Sequence, residues 1–191
     1  MLNSVRLTIA GFAFRRAASA SPRGAVRWHR LACNIAPALV PSYRALMDLL
    51  RDQEDRWAAR AVAQEAAERF PENSDAWMLL ALGWQLVYRQ QEALAAFEQA
   101  LALAERPDAA LEAGTIYERF GQHADAAERF ARAYAAGGGP EALRHNAEAL
   151  FHAGDEVAAE QALSLWATQV PEGLERLPAI RAELKAGRRA S

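Results

Sequence analysis

The chain has 191 residues, 52% of them hydrophobic and 24% charged, with a net charge of -2 and a mean hydropathy of -0.18, an ordinary balance for one soluble domain with its own core. Its single cysteine, Cys33, excludes an intramolecular disulfide and a four-cysteine zinc site, and a free thiol fits a reducing compartment. The charge is lopsided: residues 1–47 hold seven arginines and no acid, the rest carries -9, and such an acidic body repels phosphate, which argues against nucleic-acid binding.

Residues 1–39 read as a basic segment outside any repeat. They are rich in arginine, contain Ser19 and Ser21, and resemble an organelle transit peptide in composition. The apolar run from Val5 to Phe14 is short for a secretory signal. Arg30 in "RLAC" stands where a lipoprotein cleavage site wants an aliphatic residue. Three readings stay open: a flexible basic extension or sequence upstream of the true start, a targeting segment, or a basic arm that binds a membrane or the acidic body. The expected location is cytoplasmic, with targeting through this segment as the alternative.

From residue 40 the chain repeats. The most apolar stretch, "WMLLALGWQLVY" at 77–88, is too short to span a bilayer, which takes about 20 apolar residues. Ser74 and Asp75 precede it, and Arg89, Gln90, Gln91 and Glu92 follow, so it belongs in a core and no stable membrane insertion is expected. Thirty-three residues separate Ala81 from Gly114, Trp84 from Tyr117, Ala93 from Ala126, Phe97 from Phe130 and Ala100 from Ala133. The next step of 33 reaches Ala147, Leu150, Ala159, Leu163 and Trp166, and an upstream step of 34 reaches Met47, Leu50, Ala59, Ala63 and Ala66. Four units follow, at about 40–73, 74–106, 107–139 and 140–172.

Each unit reads as two helices around a tight turn. Trp77, Leu80, Ala81 and Trp84 keep helical spacing in a first helix; Ala93, Phe97 and Ala100 do so in a second. "RQQ" at 89–91, "FGQHAD" at 120–125 and "HAGDE" at 152–156 mark the inner turns. "FPENSD" at 70–75, "RPD" at 106–108, "GGGP" at 137–140 and "VPEG" at 170–173 end the units. Asn73, Ser74 and Asp75 are candidate N-caps. Residues 173–191, with Leu174, Leu177, Ile180 and Leu184, read as a capping helix and tail.

This pattern resembles the tetratricopeptide (TPR) repeat, whose units carry W-x2-L-G-x2-Y, then A-x3-F, then P over 34 residues. Trp77, Leu80, Ala81 and Trp84 match the first part, and Ala93 and Phe97 the second. Gly114, Tyr117, Ala126 and Phe130 match in the next unit. Pro107 and Pro140 fall two residues late, and Trp166 replaces a small residue. The resemblance implies an all-α fold, an α-α superhelix: a TPR-like solenoid of about four two-helix repeats with a C-terminal capping helix. It also implies a concave groove lined by the first helix of each unit. The family's groove positions map onto Arg44, Asp48 and Arg51, then Met78, Leu82, Gln85 and Leu86. Leu111, Thr115, Glu118 and Arg119 follow, then Arg144, Glu148, Phe151 and His152. An apolar middle with charged ends suits an amphipathic helix or an extended peptide. The opposing reading packs Met78, Leu82 and Leu86 against a neighbouring unit or the N-terminal segment. Domains of this family that clamp acidic chaperone tails need Asn ligands that are missing here, so that specificity is not expected.

No P-loop, dinucleotide-binding glycine pattern, G-x-S-x-G or H-E-x-x-H occurs, and neither enzymatic activity nor a cofactor is expected. His145, Glu148 and His152 share a helix face in "HNAEALFH", which is read as groove polarity rather than a metal site. "GGGP" follows no strand and is read as a linker turn rather than a phosphate site. The function expected is a non-enzymatic protein–protein interaction scaffold or adaptor whose partner is a protein or peptide. Two alternatives stand beside it: an accessory or substrate-tethering subunit of an enzyme, secretion or envelope-assembly complex, and a self-associating module.

Overall fold

The computed structural model of the chain describes residues 8–9, 11–13, 15–17, 20, 22–35 and 40–187. Ser19, Ser21, Phe14 and the first seven residues lie outside the described residues, as do Arg188 and Arg189 at the end of the capping segment. The chain divides into two compact units, residues 1–104 and 105–191.

The first unit holds α1 (Pro22–Ile35), α2 (Val40–Asp52), α3 (Arg56–Arg69), α4 (Ser74–Leu86) and α5 (Gln90–Leu103). Alanine, leucine, arginine, glutamate and glutamine dominate these segments, all good helix formers. Their ends are written locally. Asp55 accepts a hydrogen bond from Ala58 N (3.0 Å), and Asn73 accepts from Asp75 N (2.8 Å), satisfying donors that a helix start leaves orphaned. Tyr43, Leu46 and Met47 of α2 meet Val62, Ala63 and Ala66 of α3 and Leu79 of α4 in one buried cluster. Phe97 of α5 is fully buried.

α1 falls inside the stretch that sequence marks as a basic extension. It packs on α2 and adds Cys33 to the cluster of Tyr43 and Leu46. Arg69 donates to the carbonyl of Cys33 (3.3 Å) and to the hydroxyl of Tyr43 (2.9 Å), and Arg30 pairs with Glu65 at 2.5 Å. Burial pushes the Cys33 thiol up to about 11 and the Tyr43 hydroxyl up to about 12, and Cys33, fully buried, packs in the core of this unit.

The second unit holds α6 (Pro107–Arg119), α7 (His123–Ala135), α8 (Pro140–Ala153), α9 (Glu156–Gln169) and α10 (Gly173–Gly187). The two prolines that depart from the repeat pattern stand at the first helical positions of α6 and α8, where a missing N–H leaves nothing unpaired. Gly114 of α6 is small for a reason: a Cβ there would lie 2.7 Å from the ring of Phe130, which α7 presses against it. The equivalent position in the first unit is Ala81, also fully buried. Trp166, large where earlier units are small, is buried against Leu177 of α10, with Ile180 and Leu184 at the margin of the same cluster. Arg176 of α10 lies over its ring at 5.6 Å.

Each helix pair turns through one residue in the left-handed region: Glu54 (φ 63°), Tyr88 (φ 60°), Gly121 (φ 72°) and Gly154 (φ 93°), spaced 34, 33 and 33 residues apart. Two of these four are glycines, which adopt that conformation freely, and two carry side chains that cost about 1 kcal/mol there. No described helix is long and apolar enough to cross a membrane.

Candidate functional site

In the first unit, α2, α4 and the turns that follow them enclose a hollow of about 460 Å³. Its lining is Arg44, Met47, Arg51, Glu54, Arg56, Leu82, Gln85, Leu86 and Tyr88. Leu82 and Leu86 stand one helical turn apart. Each packs one side on the buried cluster below and leaves part of its surface uncovered. Arginines rim this apolar floor. Asp48 does not line the hollow. It holds two of the rim arginines, accepting from Arg51 Nη1 at 2.9 Å and pairing with Arg44 Nε at 3.4 Å. Asp52 takes a second bond from Arg51. Met78, a further predicted groove residue of this unit, is only 7% exposed and offers almost nothing to a ligand.

Glu54, Arg56 and Tyr88 are not among the sequence candidates, yet they form one end of the hollow. Tyr88 is 74% exposed, and its hydroxyl accepts a hydrogen bond from Arg56 Nη1 at 3.0 Å. The guanidinium of Arg56 also lies 5.6 Å from the centre of the Tyr88 ring.

The predicted residues of the second unit gather into a different surface. Arg144 donates to Glu141 at 3.0 Å and bonds Glu148, and His145 Nδ1 lies 3.7 Å from Glu148. Burial resists ionisation of Glu148, but the His145 bond and the charge of Arg144 outweigh it and bring its carboxyl below the usual range. Glu118 has the opposite balance: burial dominates, and its carboxyl is raised despite nearby His145 and Arg144. His145 stacks on Phe130 at 5.2 Å, and His152 faces the ring of His123 at 5.2 Å. Among the described residues, no group of three or more His, Cys, Asp or Glu side chains is placed to hold a metal ion.

Leu111 packs on the cluster of Ala126 and Phe130, and Thr115 donates back to the Leu111 carbonyl at 3.0 Å. Arg119 is exposed, while Phe151 is 7% exposed. Phe151 lines instead a second hollow, of about 450 Å³, with Val157 and Glu160 of α9 and Arg181 and Leu184 of α10.

No family model matches the sequence, and no curated protein does. Solved structures do. A structure described as the MamA protein superposes with a TM-score of 0.67 at 19% identity, covering 92% of this chain and 93% of its own. YrrB, described as a TPR protein with an unusual peptide-binding site, gives a TM-score of 0.67 at 16% identity over 92% of this chain and 90% of its own. TTC0263, a thermophilic TPR protein of Thermus thermophilus, gives 0.56 at 17% identity over 96% and 97%. The fold is that of the tetratricopeptide repeat. In TPR terms α2, α4, α6 and α8 are the first helices of the units, and α3, α5, α7 and α9 the second. The hollow of the first compact unit lies along first helices α2 and α4, the elements on which the sequence placed the groove.

Proposed function

We propose that this TPR chain is a non-enzymatic interaction scaffold, and that the hollow between α2 and α4 receives an apolar segment of a protein partner. The observation that carries this reading is the pair Leu82 and Leu86. They stand at helical spacing on the floor of a concave surface whose rim is charged. An amphipathic helix or extended segment that places two apolar side chains on them buries its anchors while its polar side meets the arginines. That YrrB is described as having a peptide-binding site supports binding as the general use of such a surface, without defining this chain's ligand.

The test is selection of 12-residue peptides from a random display library on the full chain. The double variant Leu82→Glu/Leu86→Glu, checked for retained helicity by circular dichroism, serves as counter-screen. Sequences enriched on the wild type and lost on the folded variant support the reading. Equal enrichment on both would remove this hollow as the binding surface. If the variant loses its helix signal, the leucines are core first.

A further inference from the structure

The turn residue between paired helices takes a left-handed backbone in all four repeats, and the second compact unit meets this with Gly121 and Gly154. The first places Glu54 and Tyr88 at the same register, although L side chains adopt that conformation at a cost. Both departures line the same hollow. Tyr88 is 74% exposed, so packing does not compensate for its strained backbone. What the side chain does is hold Arg56: its hydroxyl accepts from Nη1, and its ring lies beneath the guanidinium. Arg56 pairs with no carboxylate among the described residues, whereas Arg44 and Arg51 are tied to Asp48. The lining of the hollow carries three arginines against one glutamate.

We infer that Tyr88 is a positioning residue that aims Arg56 at a carboxylate of the bound segment, so that the hollow selects an apolar anchor pair flanked by an acid. This rests on the proposed binding of a peptide at Leu82 and Leu86 and specifies its chemistry. The guanidinium keeps donors beyond the one used on Tyr88, enough for a bidentate carboxylate contact. The acid is a side chain or a chain terminus; either presents the same two oxygens.

The probe is a set of 14-residue peptides with two leucines four residues apart, labelled with fluorescein at the N-terminus and amidated at the C-terminus. Their affinity for the full chain is read by anisotropy. Both positions flanking the leucine pair are Glu, Gln or Lys. A fourth peptide is the Gln version with a free terminal carboxylate just beyond the second flank, and a fifth replaces both leucines with serine. The Glu peptide is expected to bind about fivefold more tightly than the Gln peptide, and the Lys peptide more weakly still. A gain by the free-acid peptide shows that a chain terminus serves as well as a side chain. Tyr88→Gly and Arg56→Gln should bind Glu and Gln peptides alike while keeping the dependence on leucine. Tyr88→Phe, which keeps the ring and loses the hydroxyl, should fall between. Tyr88→Gly also relieves a strained backbone, so it should melt no lower than the wild type, and lost selectivity cannot be put down to unfolding. Equal binding of Glu and Gln peptides by the wild type, or a preference that survives Tyr88→Gly, overturns the carboxylate inference. If binding still depends on leucine, the groove reading stands without it. If no peptide binds in a leucine-dependent way, both fall.

Discussion

The two compact units are built from the same repeat and use its first helices differently. In the first, α2 and α4 leave Leu82 and Leu86 on the floor of a hollow rimmed by Arg44, Arg51 and Arg56. In the second, the corresponding face is charged: within α8 Arg144 pairs with Glu141 and Glu148 and His145 approaches Glu148, while Glu118 of α6 stands near them with its carboxyl raised by burial. The turns follow the same division, with side chains at Glu54 and Tyr88 and glycines at Gly121 and Gly154. A repeat whose turns are relaxed and whose first-helix face is charged presents little apolar surface along those helices. One that keeps a strained turn and an uncovered apolar floor has kept features that folding alone does not reward.

The largest test of the shared architecture is the aromatic at its centre. Phe97→Ala and Phe130→Ala should each cost about 3–5 kcal/mol, because both rings are fully buried; chemical denaturation measures both. Near-unchanged melting in either would remove the equivalence of the two units. The units then separate at the next position. Gly114→Ala should cost about 1–3 kcal/mol, since the new methyl meets the Phe130 ring, while its counterpart is already Ala81. A double variant Gly114→Ala/Phe130→Leu should therefore lose less than the two single changes added together.

The turns should respond with opposite signs. Tyr88→Gly should raise stability by about 1 kcal/mol and Gly154→Ala should lower it by a similar amount. If Tyr88→Gly is destabilising, the Tyr88–Arg56 contact is worth more to the fold than its exposure implies. The smallest effect lies in the charged face. The raised Glu118 carboxyl is a folding penalty at neutral pH that fades as pH falls through its folded value. The lowered Glu148 carboxyl stabilises above the ordinary glutamate range, and that contribution is lost as pH falls through its folded value. Thermal melts at pH 7 should show Glu118→Gln above the wild type and Glu148→Gln below it. Both differences should shrink once the pH is low enough to protonate the two carboxyls.

Much of the fold can be read from residues alone, because the repeat writes its packing into pairs 33 residues apart. Ala81 with Phe97, and Gly114 with Phe130, are local spacings whose recurrence needs no tertiary knowledge. Pro107 and Pro140 look misplaced against the pattern and are ordinary first-turn prolines. α1 is harder to see. Its lack of acids points to targeting, while the contacts that hold it, Arg30 on Glu65 and Arg69 on the Cys33 carbonyl, join residues more than 30 positions apart. The spacing of Ala25 and Ala32, and of Val26 and Cys33, is the available signal for a buried face.

The candidate site is legible along the helices and not in the turns. Leu82, Leu86, Arg44 and Arg51 follow from the register, whereas Arg56 and Tyr88 enter through backbone geometry that a pattern of side chains does not encode. Aligning residue 88 with Gly121 and Gly154 exposes the anomaly. Met78 and Phe151 stand at groove positions by register and are each 7% exposed, with Phe151 on the lining of the second hollow.

The central claim is that a partner's apolar anchors sit on Leu82 and Leu86. The most direct measurement is a methyl NMR titration of the full chain with the Glu-flanked dileucine peptide. Shifts concentrated at the methyls of Leu82, Leu86 and Met47 are the predicted result. Shifts centred on Leu163, Leu184 and Val157, around the second hollow, would contradict it and move the binding surface to the other unit.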